Sequence, residues 1–262
     1  MSLRDRPVLV APDSFKGTMS APTVAAAVAA GLERAGLHAD RCPVADGGEG
    51  TMGVLLERLG GEVLAAKASD PLGRPIVAEF ALLGDGSTAL VEVAAASGLY
   101  LVAEQERDAE AASSAGTGEL IAAAIDAGAK HVLVAAGGSA TTDGGVGVVE
   151  AIGTTGGLRG ARLTVLCDVT TPFEQAAAVF APQKGADAAA VERLERRLEK
   201  LDVPRGVPMS GAAGGLAGGL WHSLGATLVA GAPYVLDALD FDERMLASAA
   251  VIVGEVWNSS RW

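Results

Sequence analysis

Short apolar runs rich in valine and leucine alternate with longer alanine-rich segments along this chain. The runs have the length of buried strands, and the longer segments repeat their apolar positions at helical spacing. The pattern predicts strands at residues 7–11, 39–44, 76–83, 88–93, 131–135, 163–166 and 251–253, and helices at residues 20–36, 49–59, 114–127 and 191–201. Strands that alternate with helices are typical of an α/β protein with a parallel sheet.

Part of the predicted sheet is antiparallel. Residues 84–87 (GDGS) separate two predicted strands, and a short glycine-containing connection is typical of a β-hairpin. We therefore expect antiparallel pairing beside the parallel part, in a mixed sheet.

Charge and composition exclude several classes of protein. The 262 residues include 32 acidic and 20 basic side chains, a formal net charge of −12. Nucleic-acid binding through bulk charge is excluded, because it depends on lysine and arginine displacing counterions from phosphates. Neither a membrane-spanning run of roughly 18 apolar residues nor a signal peptide is recognised, so we expect a soluble, cytoplasmic protein. Cys42 and Cys167 lack metal-binding spacing and are expected to be buried thiols.

Acidic residues and glycines recur where the predicted strands end. Asp13, Asp46, Asp143, Asp168 and Glu255 follow five of these strands, and parallel α/β sheets bind ligands outside the carboxyl ends of their strands. Carboxylates gathered at one edge need a cation, most naturally Mg²⁺, while glycine-rich turns present N–H groups to an anion. Phosphoryl transfer from a nucleotide requires this combination.

Two of the few lysines lie in short loops beside glycines. They are Lys16 in residues 15–17 (FKG) and Lys184 in residues 182–185 (PQKG). A lysine in such a loop can act as a point charge on phosphate or carboxylate.

A dinucleotide-binding oxidoreductase is an alternative. Residues 48–53 (GEGTMG) match the pattern G-x-G-x-x-G, and Asp70 follows at about the expected distance. Asp46 and Glu49 weaken this interpretation, because they would place negative charge against the pyrophosphate. A Walker A sequence is absent from the 262 residues, which excludes an ordinary P-loop kinase.

A series of ordered motifs, which begins near residue 8 and reaches Glu255, resembles the bacterial glycerate kinases that have neither a P-loop nor a protein-kinase fold. The motifs are residues 11–17 (APDSFKG), 43–51 (PVADGGEGT), 94–99 (AAASGL), 116–120 (GTGEL), 137–145 (GGSATTDGG), 167–170 (CDVT), 182–186 (PQKGA) and 211–215 (GAAGG). The resemblance implies ATP- and Mg²⁺-dependent phosphorylation of D-glycerate, with 2-phosphoglycerate as the favoured product.

The resemblance also implies a two-domain α/β fold with the active site in the cleft. Residues 1–70 and 241–262 would form a discontinuous Rossmann- or flavodoxin-like domain with a parallel sheet. Residues 71–240 would form an inserted α/β domain with a mixed sheet.

The chemistry of the reaction assigns expected roles to the motif residues. The expected catalytic residues are Asp13, Lys16, Asp46, Asp143, Asp168 and Lys184. The expected nucleotide-binding residues are Ser14, Gly47, Gly48, Gly137, Gly138, Ser139, Thr141, Gly214 and Gly215. The expected metal ligands are Asp46, Glu49 and Glu255.

The chain departs from the family after Glu255. Residues 256–262 (VWNSSRW) stand where the family continues with Gly-Arg and further α/β chain. This predicts a truncated reading frame, a first domain that lacks its second half, and impaired activity. A non-catalytic ligand-binding remnant of the family is therefore a second alternative.

Overall fold

The computed structural model describes residues 6–15 and 18–255. The strands are β1 Val8–Pro12, β2 Ala39–Arg41, β3 Gly61–Ser69, β4 Pro75–Leu83, β5 Thr88–Glu92, β6 His131–Ala135, β7 Arg162–Cys167, β8 Thr227–Ala230 and β9 Ala250–Gly254. The α-helices are α1 Ala21–Arg34, α2 Thr51–Leu59, α3 Val93–Ser97, α4 Ala115–Asp126, α5 Val146–Thr154, α6 Ala176–Phe180, α7 Ala188–Glu199, α8 Leu216–Leu224, α9 Gly231–Ala238 and α10 Phe241–Ala247. Single 3₁₀ turns cover Leu99–Leu101, Glu104–Glu106, Phe173–Gln175 and Pro182–Lys184.

The strands form two sheets. The smaller sheet has the order β2-β1-β9 and is entirely parallel. The larger sheet has the order β3-β4-β5-β6-β7-β8, with antiparallel pairing from β3 to β5 and parallel pairing from β5 to β8. The predicted α/β class and mixed sheet are therefore confirmed.

Helix starts follow the local sequence. The Ser20 side chain accepts a hydrogen bond from the Thr23 N–H, and Pro22 lies in the first turn of α1, where its missing N–H costs no helical hydrogen bond. Helix α7 begins before the predicted residue 191, because Asp187 caps it by accepting a hydrogen bond from the Ala190 N–H.

The two sheets share an apolar core. Leu9 of β1 and Leu55 of α2 belong to one buried cluster with Leu90, Leu133 and Leu166 of the larger sheet. Because burial of apolar surface stabilises this junction, it fixes the loops at the carboxyl ends of both sheets relative to each other. A second cluster, which includes residues of α4, α5 and α8, packs on the larger sheet.

The sequence pattern missed β3 and β8. Every second residue over much of β3 is exposed and its apolar run is short, ending at Lys67, although the strand pairs with β4 over residues 61–69. The predicted domain boundary at residue 70 assigned this strand to the first domain, whereas it pairs in the larger sheet. The division into two domains stays a prediction, and the change of sheet lies nearer residue 60.

Two further expectations concern membrane segments and cysteines. Among residues 6–15 and 18–255, no helix has the length and apolar character needed to cross a membrane. Cys42 and Cys167 are both buried free thiols, as predicted.

Candidate active site

A small polar cavity lies over the carboxyl ends of β6 and β7. We call it the Lys184 cavity; its volume is about 190 Å³. Residues from six separate stretches of the chain line it. The lining residues are Asp46, Gly48, Glu49, Leu99, Ala136, Gly137, Gly138, Ser139, Asp168, Val169, Phe180, Gln183, Lys184, Ala213 and Gly214.

Lys184 is the buried cation of this cavity, with 3% of its surface exposed. Its Nζ donates hydrogen bonds to Ser139 Oγ at 2.9 Å and to the Thr141 carbonyl at 2.6 Å. Burial lowers the pKa of Lys184 to about 7, although the negative charges of Asp143 and Asp168 oppose this shift. Within the described chain, Lys184 forms no ion pair with a carboxylate (the described ion pairs all belong to arginines). Its charge is therefore available to an anionic ligand.

Glycines let two loops cross beside this lysine. A Cβ atom at Gly137 would lie 2.6 Å from the Gly48 Cα, so a side chain there would separate the loops that follow β2 and β6. Gly214 has a φ of +69°, and a Cβ there would overlap the Thr141 carbonyl that holds Lys184. Ala213 also adopts a left-handed conformation, with a φ of 53°, which costs free energy in a non-glycine residue.

A second, larger cavity lies over the carboxyl ends of β1 and β2. We call it the Met52 cavity; its volume is about 400 Å³. It is lined by Asp13, Ser14, Thr18, Met19, Ser20, Ala21, Pro22, Val44, Ala45, Glu49, Gly50, Met52, Gly53 and Glu92. Glu49 lines both cavities, so they adjoin at this residue.

Glu92 is the last residue of β5, and its side-chain carboxylate lies at the N-terminal end of α2. Its Oε1 accepts hydrogen bonds from the Gly50 N–H at 3.0 Å and the Met52 N–H at 2.8 Å. Burial raises the pKa of Glu92, and the charge of Glu49 adds to this effect, while the two hydrogen bonds oppose it. In a dinucleotide-binding protein the pyrophosphate takes such a helix start. The carboxylate already fills this position, so the G-x-G-x-x-G interpretation fails here.

Asp143 has a similar structural setting at the start of α5. Its Oδ1 accepts a hydrogen bond from the Gly145 N–H, and its Oδ2 accepts hydrogen bonds from the N–H and Oγ–H of Ser114 and from the Gly147 N–H. It lines neither cavity. These contacts tie α4 to α5 and favour a structural role over the predicted role as a general base.

The remaining predicted residues differ in their positions. Asp13 and Ser14 line the Met52 cavity, whereas Asp46 and Asp168 line the Lys184 cavity. Besides Asp143, four described residues that were predicted for the site line neither cavity; they are Gly47, Thr141, Gly215 and Glu255. Thr141 contributes its carbonyl to Lys184. Lys16 and residues 256–262 lie outside the described residues.

The predicted three-ligand metal site does not form among the described residues. Within residues 6–15 and 18–255, no three histidine, cysteine or carboxylate side chains lie close enough to hold a metal ion. Glu255 is exposed after β9 and does not line the cavity that Asp46 and Glu49 line. Mg²⁺ is commonly held by one or two carboxylates together with the phosphates of a substrate, and Asp46 and Glu49 fit this pattern.

Sequence reasoning missed Glu92 and Ser114. Glu92 could have been found by the rule that drew attention to Asp13 and Asp46, since it also ends an apolar strand. Ser114 precedes the glycine motif of α4, and only the tertiary contact with Asp143 reveals its role.

The fold and the site together define a class of protein. Two adjoining cavities at the carboxyl ends of parallel strands, with a buried lysine and several carboxylates between glycine-rich loops, suit an α/β enzyme that acts on small anionic molecules.

Comparison with known proteins identifies the family. Residues 8–156 and 154–257 match the profile of the glycerate kinase family. The chain is 38% identical to the glycerate kinase of Bacillus subtilis (strain 168) and 37% identical to the glycerate 2-kinase of Escherichia coli (strain K12). Each comparison covers 95% of this chain and 76% of the relative. The chain belongs to the glycerate kinase family, as its motifs predicted.

A solved structure supports the same conclusion for the fold. The crystal structure of a protein assigned as glycerate kinase 2 from Salmonella typhimurium LT2 superimposes with a TM-score of 0.84 at 36% sequence identity. The match covers 96% of this chain and 79% of that chain. The predicted glycerate-kinase-type fold is therefore confirmed.

Proposed function

We propose that this chain transfers the γ-phosphoryl group of ATP to a hydroxyl group of D-glycerate, with 2-phosphoglycerate as the favoured product. The observation that carries the proposal is the Lys184 cavity, in which family motifs far apart in the sequence surround one buried ammonium group. D-glycerate is a small anion with two hydroxyl groups, and its size and charge match this polar space.

The reaction assigns a task to each group of the cavity. Lys184 neutralises the carboxylate of glycerate or the transferred phosphoryl group, and its hydrogen bonds to Ser139 and Thr141 hold it in place. Gly137 and Gly138 border the same space, and backbone N–H groups in such a position can stabilise developing negative charge. The substrate oxygen forms a bond to the γ-phosphorus, the bond from that phosphorus to ADP breaks, and the hydroxyl proton passes to the carboxylate of Asp168.

Mg²⁺ is part of the proposal. Asp46 and Glu49, which line the Lys184 cavity together, are the residues that would hold it. When bound, the ion neutralises charge on the phosphates during transfer. Phosphoryl transfer needs little covalent chemistry from the protein, so the side chains act mainly through position and charge.

Several sequence expectations stay predictions. They are the cytoplasmic location, the absence of a nucleic-acid partner, and the roles of Asp13 and Lys16.

ADP release in the presence of D-glycerate and MgATP tests the function. We expect turnover that depends on both substrates and on Mg²⁺, and little turnover with glycerol, which lacks the carboxylate. A ³¹P NMR doublet identifies phosphate on the secondary carbon of glycerate, and a triplet identifies phosphate on the primary carbon. Glycerate binding without ADP release would contradict the proposal and favour a ligand-binding remnant.

A further inference from the structure

The two adjoining cavities differ in size, in lining and in the sheet that each covers. We infer that the Met52 cavity takes the adenine and ribose of ATP, while the Lys184 cavity takes glycerate, with the phosphates meeting the acceptor beside Glu49. The inference rests on the proposed function and adds the division of the two substrates between the cavities.

Size separates the two cavities. Pockets for small molecules commonly have volumes of roughly 300–1,000 Å³. The Met52 cavity, at about 400 Å³, falls in this range, whereas the Lys184 cavity, at about 190 Å³, lies below it. A nucleoside fits the larger space, and an acid of a few heavy atoms fits the smaller one.

The residues that line the two cavities support the same assignment of substrates. Met19, Pro22, Val44 and Met52 give the larger cavity apolar walls, which suit the faces of a purine ring. The carboxylate of Asp13 can accept hydrogen bonds from the ribose hydroxyl groups, and the hydroxyl groups of nearby serines can donate or accept them.

The charged residues of the two cavities indicate where the triphosphate of ATP would bind. Among the described residues that line the Met52 cavity, none is basic. Its wall carries Glu92, whose carboxylate already accepts the two N–H hydrogen bonds at the start of α2. A triphosphate would therefore meet no positive charge from these described residues. It would be stabilised next to Glu49, where the neighbouring cavity supplies Lys184 and where a metal ion bound to Asp46 and Glu49 would lie.

The position in the fold supports the same division. The Met52 cavity lies over the carboxyl ends of β1 and β2 in a parallel sheet, and open parallel sheets bind their ligands at this edge. Strands of the larger sheet supply the Lys184 cavity in the same way, through the segments after β6 and β7.

A glycine in the wall of the Met52 cavity provides the test. Gly53 lies within α2, and a Cβ atom added there meets no heavy atom within 4 Å. A Gly53→Phe substitution should therefore fill the cavity without displacing the helix. Gly31 of α1 is the matched control, because a Cβ there also meets nothing within 4 Å and the residue lines neither cavity.

Steady-state kinetics and calorimetry with ADP give the result on the full chain. We expect Gly53→Phe to raise the KM for ATP by about tenfold or more and to leave the KM for D-glycerate within about twofold, whereas Gly31→Phe leaves both unchanged. Met19→Trp, at a residue that is 45% exposed, should raise the KM for ATP if Gly53→Phe does not fold.

The inference and the proposed function fail in different ways. An unchanged KM for ATP, or a rise only in the KM for glycerate, would overturn the inference while turnover by the unmodified chain upholds the function. If the unmodified chain binds ADP but shows no turnover, the proposed function fails. The affinity of Gly53→Phe for ADP then tests the inference. Loss of ADP binding in this variant supports it, and unchanged ADP binding overturns it.

Discussion

Lys184 and Glu92 are buried charges in two neighbouring cavities, and their contacts differ in kind. The Glu92 carboxylate accepts two backbone N–H groups that would otherwise lack partners at the start of α2. The Lys184 ammonium group is held by two neutral oxygens, which position the charge without neutralising it. Burial alone therefore does not show which charged side chain binds a ligand. The kind of protein group that contacts the charge, and the number of such groups, distinguish the two cases.

The comparison predicts opposite effects of removing each charge. Lys184→Met should lower kcat/KM for D-glycerate by about 10³-fold, because a desolvated cation that meets an anion contributes several kcal/mol. We expect the thermal midpoint to stay within a few degrees of the unmodified value, since a buried charge is lost together with its desolvation cost. Lys67→Met, on the exposed face of β3, is the matched control. A large loss of stability with unchanged kinetics would break the comparison.

The pH dependence tests whether the lysine acts as a cation. Because its pKa is lowered to about 7, kcat/KM for D-glycerate should fall above pH 7, by about 100-fold at pH 9. Lys184→Arg should move this decline to higher pH, because arginine stays protonated.

Stability should change in the opposite direction. The unfolded chain, with an ordinary lysine pKa of 10.5, binds more protons than the folded chain between pH 7 and 10.5. This group therefore makes the free energy of unfolding rise with pH in that window. If Lys184→Met abolished neither the pH dependence of kcat/KM nor that of the free energy of unfolding, another titrating group would be responsible.

Removing the second charge should reduce stability. Glu92→Ala leaves two N–H groups at the start of α2 without their acceptor, and we expect a loss of about 2 kcal/mol in the free energy of unfolding. Glu92→Gln keeps an acceptor oxygen and should lose less than about 1 kcal/mol. Urea denaturation measures both. Equal losses in the two variants would show that the charge of Glu92, and not its accepting oxygen, stabilises the helix.

The smallest effect concerns the helix that Glu92 holds. Gly53→Ala should raise the free energy of unfolding by about 0.5–1 kcal/mol, because alanine loses less backbone entropy than glycine inside a helix. Denaturant midpoints would detect this change. A decrease in stability would contradict the open space that surrounds a Cβ atom added at Gly53.

Local patterns were sufficient for much of the fold. The apolar runs of β1 and β6, the start of α1 at Ser20 and the hairpin of β4 and β5 follow from the sequence, because each depends on residues adjacent in the chain. The half-exposed β3 was missed, because only pairing with β4 makes it a strand.

The sequence by itself determined the family and indicated most members of the candidate site, because its motifs retain the residue types that the chemistry needs. Only the tertiary structure decided how those residues divide. It buries Lys184 beside Ser139, turns Asp143 to the start of α5, and directs Glu92 to the start of α2. These roles depend on contacts between residues up to 45 positions apart, and the geometry of such contacts is set by the packing of the two sheets on their shared core.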